Sequence, residues 1–414
     1  MAYFLFTIYL LFFCWLINRI EFIKKTGLPV WAITALFLAK VAAGMIYGWF
    51  YTKIPNFEQE ADTWKFFAES RFQTKLLLND PVRYFSEVFE NPYGKKYRHL
   101  FSVFNSYWND LKHLYMVKLV SLFNLFSGSR YYINVIFYSF LTFFGPVAFL
   151  RVMNDVFPGR IYLLTAATFL FPSFLFWSSG IHKDGIVFLL MALTIFHFYF
   201  KGGRASLSLK TLLTVSLFIL LIFPVRNYVV LALLPALAGW WLADRFFKQK
   251  WIAFLIVSLA GTLLFFGSKY VNPKIDLPIA IVMRKMEFIK LGGNSFLPQR
   301  ELKSTLSSFI QNAPQAINHS LVRPYITEII SPFYFICALE ILFTWLLVFI
   351  WFFRFSENPY RHSVVLFCFL SAMVLLLLTG YIVPQLGAIV RYRSIYFPLL
   401  MAPIVATIKW KKTY

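Results

Sequence analysis

Residues 363–383 read Ser-Val-Val-Leu-Phe-Cys-Phe-Leu-Ser-Ala-Met-Val-Leu-Leu-Leu-Leu-Thr-Gly-Tyr-Ile-Val, with no charged side chain. A hydrocarbon layer about 30 Å thick is crossed by about twenty such residues in a helix. Working outward, similar runs recur at about 332–353 and 393–408, and on the N-terminal side at 250–268, 227–244, 208–224, 184–201, 160–178, 130–152, 28–50 and 2–18. The expected fold is therefore an all-α polytopic transmembrane protein of about eleven spans. The first run has no basic region before it and no small-residue cleavage site after it, so it is read as a helix and not as a signal peptide.

Composition agrees. Of 414 residues, 59% are hydrophobic and 14% charged, against roughly 25% charged in a soluble domain. That excludes a soluble enzyme or binding module. The net charge of +22 raises nucleic acid as a partner, but the cations lie in short clusters between apolar runs, with no continuous stripe or recognition motif, so none is expected. Cys14, Cys337 and Cys368 all fall in apolar runs and read as small hydrophobes.

Every second connection is basic. Arg19, Lys24 and Lys25 open the series, followed by Arg151 and Arg160, then Lys201, Arg204 and Lys210, then Arg245, Lys248 and Lys250, then Arg354 and Arg361, and finally Lys409, Lys411 and Lys412. The positive-inside rule puts these in the cytoplasm and the N-terminus outside, for a chain expected in a cell's inner (plasma) membrane. The layout is two helices over 1–50, an outer loop over 51–129, helices over 130–268, a second outer loop over 269–331, and helices with a basic tail over 332–414. Helical pieces are expected in the first loop at Thr63–Leu77 and Leu111–Phe126, the second apolar enough to lie on the membrane surface.

The 18 acidic residues are few enough for their placement to matter. Glu58, Glu60 and Asp62 follow the second span on the outer side. Asp62 can cap the helix after it, or stand at the water boundary as a general base toward a hydroxyl. The three carboxylates together are also a candidate divalent-cation set; no other cofactor is indicated. His182, Lys183 and Asp184 fill a tight outer turn between two apolar runs, either as a helix cap with a snorkelling lysine or as groups that meet an anion. Arg226, in Pro224–Tyr228, reads as a headgroup contact or a phosphate ligand. Arg391 and Arg393 flank Tyr392 at the start of the last span, where two arginines call for an anion. Lys40 and Glu340 lie inside spans and are expected to pair with each other or with another polar group.

With these residues placed, the chain resembles the GT-C superfamily of polytopic glycosyltransferases over most of residues 28–408. The likeness rests on an acidic residue opening a long first outer loop (Asp62), a proline-containing span ending in a polar outer turn (Pro172 to Asp184), an arginine in an outer hairpin (Arg226) and an Arg-Tyr-Arg element before the last span (Arg391–Arg393). The chain departs from the family in lacking a paired acid, since Thr63 and Trp64 follow Asp62, and in its extra helix at 2–18. The resemblance implies a polyprenyl-phosphate-linked sugar donor, a glycan, lipid or protein acceptor on the outer face, Asp62 as catalytic base, and phosphate contacts from Lys183, Arg226, Arg391 and Arg393 with His182 and Asp184 beside them. Lys95, Lys96 and Arg98 would attract an anionic glycan. A lipid-linked glycan polymerase of the O-antigen type fits the same residues. A flippase of an anionic lipid or glycan fits the arginines, with Lys40 and Glu340 as its coupling pair, and a non-catalytic envelope component is the third reading.

Overall fold

The computed structural model describes residues 2–89, 107–202, 208–272, 275–292, 295–328, 331–355 and 361–410. Lys95, Lys96, Arg98, Arg204, Lys411 and Lys412 lie outside the described residues. Among the described residues all regular elements are helices, with two isolated β-bridges. Backbone groups in lipid must be paired within the segment, and a helix does that without neighbours.

Among the described residues seven helices are long and apolar enough to cross a membrane: Val30–Tyr51, Tyr131–Val156, Lys183–Gly202, Leu209–Phe246, Lys250–Val271, Pro332–Arg354 and Ser363–Ile382. Two bent pairs raise the number to nine if each is one span: Ile161–Phe169 with Pro172–Ser179, bent by 57°, and Leu386–Ser394 with Phe397–Thr407, bent by 58°. The difference from the expected count of about eleven lies in two elements. Ala2–Ile17 is a shorter apolar helix of 16 residues, about 24 Å long. The runs at 208–224 and 227–244 form one helical stretch, broken at Arg226 (φ −148°, ψ 81°).

That stretch doubles back. Thr211 near its start donates to the Lys201 carbonyl at 3.4 Å, and Trp240 near its end stands 4.8 Å from the Phe198 ring. Residues 211 and 240 would be about 44 Å apart in a straight helix, yet both touch the short segment Phe198–Gly202. The reversal falls at Arg226, the only residue in the stretch with non-helical backbone angles.

The chain divides into two compact units: Met1–Arg151, Leu175–Thr194 and Leu217–Arg226 form the first, and Val152–Phe174, Ile195–Ser216 and Asn227–Tyr414 the second. In the first, α1 (Asp62–Asn79) packs on α2 (Tyr107–Ser127), the two pieces expected in the first outer loop. A polar ladder joins them: Asn124 donates to Ser70 Oγ at 2.8 Å, and Thr74 to the Ser121 carbonyl at 3.1 Å. Phe72, Leu78, Leu125 and Phe126 remain exposed on this pair, which suits an interfacial position. Trp64 anchors α1 by stacking on Tyr131 at 4.0 Å and donating to the Gly48 carbonyl.

In the second unit the basic connections gather at one end. Tyr199 donates to Asp155 at 2.7 Å, and Asp244 accepts from Lys250 at 2.8 Å and from Ser363. His362 packs on Phe157, Arg160 donates to the Ile408 carbonyl at 3.1 Å, and the Lys409 amide donates to the Arg354 carbonyl at 2.7 Å. Five connections separate in sequence thus share one face. In the first unit, Arg151 donates to Phe22 in the remaining basic connection.

Candidate functional site

The site begins where the second predicted span ends. After Val30–Tyr51, a turn with Asn56 at φ +50° leads to Ala61, whose extended backbone precedes α1. Asp62 is the first helical residue, and the cap position carries no side-chain hydrogen bond. Its carboxylate is therefore not the cap. Instead Asp62 Oδ2 stands 3.0 Å from His182 Nε2, while its place in the first helical turn favours negative charge.

His182 sits in a turn that only small residues permit. A Cβ on Gly180 would run into the Tyr47 ring, and one on Gly185 would meet the Ser178 carbonyl and the Tyr138 hydroxyl. Tyr138 itself donates to the His182 carbonyl. The chain then enters α3 (Lys183–His197), whose first turn carries Asp184. Asp184 Oδ2 is 3.0 Å from His182 Nδ1, and Asp184 Oδ1 accepts from Arg226 Nη2.

Arg226, Asp184, His182 and Asp62 thus form one line of hydrogen-bonded groups within the first unit. The side chains of His182 and Asp184 are fully buried, Arg226 is 6% exposed and Asp62 is 53% exposed. Only the Asp62 end reaches the surface. Each ring nitrogen of His182 thus faces a carboxylate oxygen, and the Arg226 guanidinium supplies the positive charge that buried Asp184 needs.

Lys183, half-buried, places Nζ 5.3 Å from the Phe66 ring, and Phe66 lies 5.9 Å from His182 and 5.1 Å from His113. His113 Nε2 meets Glu69 Oε2 at 2.6 Å. Burial raises the Glu69 carboxyl, but the His113 hydrogen bond and charge outweigh it and hold the group below its ordinary range. Sequence reasoning missed this second acid–histidine pair. The available signal was spacing, since Asp62, Phe66 and Glu69 fall at i, i+4 and i+7 on one face of α1.

The other expected groups are placed as follows. Glu58 and Glu60 are exposed on the short helix Phe57–Glu60 and do not join Asp62 as metal ligands; among the described residues no three His, Cys, Asp or Glu side chains cluster for an ion. Arg391 and Arg393 belong to the second unit. Arg391 lies 5.8 Å from the Tyr392 ring. Arg393 is fully buried, its Nη1 donating to the carbonyls of Ser320 and Arg323, while Nε and Nη2 have no partner among the described residues. That leaves the edge of the guanidinium that binds an oxyanion with two parallel hydrogen bonds.

Lys40 and Glu340, expected to pair with each other or with another polar group, each meet other polar groups. Lys40 Nζ donates to the Ser178 carbonyl at 2.9 Å and to the Ser178 and Ser179 hydroxyls. Glu340 accepts from the Ser173 amide at 2.6 Å and from its hydroxyl at 2.5 Å. Hydroxyls and open backbone groups near the bent pair Ile161–Phe169 and Pro172–Ser179 supply partners that a charge inside a span otherwise lacks. The three cysteines are free.

Compared with known family profiles, characterised proteins and solved structures, the chain matches none.

Proposed function

We propose that the chain is a membrane glycosyltransferase that moves a sugar from a polyprenyl-phosphate-linked donor to a hydroxyl acceptor, with Asp62 as the base. The observation that carries this reading is the asymmetry of the hydrogen-bonded line: three members are buried, and the one at its end is a half-exposed carboxylate. A base must reach its substrate and hold a fixed orientation. His182 fixes Asp62, Asp184 fixes His182, and Arg226 neutralises Asp184.

In the reaction, the acceptor oxygen bonds to the anomeric carbon as the bond from that carbon to the phosphate oxygen breaks. The acceptor proton passes to Asp62, and polyprenyl phosphate leaves with the electron pair. Attack opposite the leaving group inverts the anomeric carbon. Lys183, adjacent to His182, is the cation assigned to the developing phosphate charge, where fixed positive charge lowers the barrier. A lipid-linked glycan polymerase would use the same steps with a longer transferred group.

The reading carries a finer topology. Counting both arms of Leu209–Phe246, each bent pair and Ala2–Ile17 gives eleven crossings of a plasma membrane, with the basic face cytoplasmic, the N-terminus outside and Asp62 on the outer side. The test is reconstitution of the purified chain in liposomes with a labelled polyprenyl-phosphate sugar and a glycan acceptor. Label covalently joined to acceptor supports the proposal. Label that only changes leaflet, still on its lipid, replaces it with a flippase.

A further inference from the structure

The second unit holds a notch that the proposed reaction does not use. Pro332–Arg354 and Phe397–Thr407 end side by side, locked by the Lys409 amide to Arg354 carbonyl bond and an antiparallel bridge between Phe355 and Ile408. Between them opens a cavity of about 470 Å³, walled by Phe349, Phe353, Ile408 and Trp410 and edged by Arg354 and Lys409. A third cation, Arg160, reaches the Ile408 carbonyl from the start of Ile161–Phe169. Three helices thus bring positive charge to one apolar slot. It lies on the face where the basic connections gather.

Phe349, Phe353 and Trp410 are exposed by 62%, 67% and 43%. In a membrane those rings face acyl chains, and tryptophan settles at headgroup depth. Cations at that depth, beside a groove running down into the apolar layer, recognise a molecule that is anionic at one end and hydrocarbon at the other. A soluble anion would leave the aromatic walls unmatched, and a neutral lipid would leave the cations unmatched.

We propose that this notch binds an anionic phospholipid, its phosphate on Arg354 and Lys409 and an acyl chain along Phe349 and Phe353. The site stands independently of the proposed transfer reaction.

The experiment uses the full chain in uncharged detergent and follows its unfolding temperature while phosphatidylglycerol, phosphatidylcholine or inorganic phosphate is added. A ligand that binds the folded state raises that temperature with concentration. Phosphatidylglycerol gives a saturable rise, and the other two do not. In Arg354→Gln/Lys409→Gln the half-saturating concentration increases about thirty-fold, the factor expected for two cations at a charged surface. Lys248→Gln, a cation of the same face outside the notch, responds as wild type. The charge-keeping Arg354→Lys/Lys409→Arg exchange guards against a folding defect and retains the response. An undiminished rise in the glutamine double variant, or an equal rise with inorganic phosphate or phosphatidylcholine, overturns the proposal.

Discussion

Asp62 and His182 are 120 residues apart in the chain and 3.0 Å apart in the structure. The contact ties the first turn of α1 to a turn between two apolar helices. The half-exposed carboxylate is thereby joined to a buried histidine whose other ring nitrogen is already held by Asp184.

The pair behind the histidine should matter to stability as well as to activity. Arg226→Met leaves Asp184 buried without its cation, and breaking such a pair costs about 3–5 kcal/mol. Adding Asp184→Asn removes the stranded charge, so the double variant should recover part of the loss. Thermal unfolding in detergent reads both; two strictly additive losses would mean that the residues do not act as a pair.

Gly185→Ala should distort the turn that carries His182. The new methyl would meet the Ser178 carbonyl and the Tyr138 hydroxyl, and the first of these is backbone that cannot swing away. We expect lower stability together with lost transfer. Combining it with Tyr138→Phe removes the softer obstacle only and should restore little. A Gly185→Ala protein with wild-type unfolding and activity would show that the close approach is unnecessary.

His319 gives a pH dependence away from the spans. Burial, then the positive charges of Arg323 and Lys285, lower its ring from the ordinary 6.5 to about 4. Between those values the unfolded ring binds a proton and the folded one does not. Stability is therefore fully present above about pH 6.5 and falls as pH drops toward 4. Unfolding curves at pH 7.5 and 5 should show a smaller drop for His319→Gln than for wild type. Equal drops would assign the dependence elsewhere.

The helices were legible because a span announces itself locally: about twenty apolar residues in a row need no knowledge of the rest of the chain. Residues 130–152 and 363–383 became Tyr131–Val156 and Ser363–Ile382. Ala2–Ile17 was harder, because apolar character alone does not separate a short interfacial helix from a crossing. The candidate residues Asp62, His182, Asp184 and Arg226 were visible as charges too costly to place idly, but not their pairing, which is long-range. Arg226 was expected to face phosphate or headgroups, and the structure places it on Asp184. For Lys40 the sequence offered Glu340 or another polar group, without saying which. Partners supplied by the Ser178 carbonyl cannot be read from residue types, because every residue carries one.

The central claim is that Asp62 removes the acceptor proton. Its most direct measurement is the surface glycan and lipid-linked sugar content of cells whose only copy carries Asp62→Asn, with membrane levels of the protein measured alongside. Asparagine keeps the shape and cannot take a proton, so the account predicts transfer lowered by about 10²–10⁴-fold, with the lipid-linked sugar accumulating at normal protein level. Wild-type glycan from the Asp62→Asn protein would contradict it.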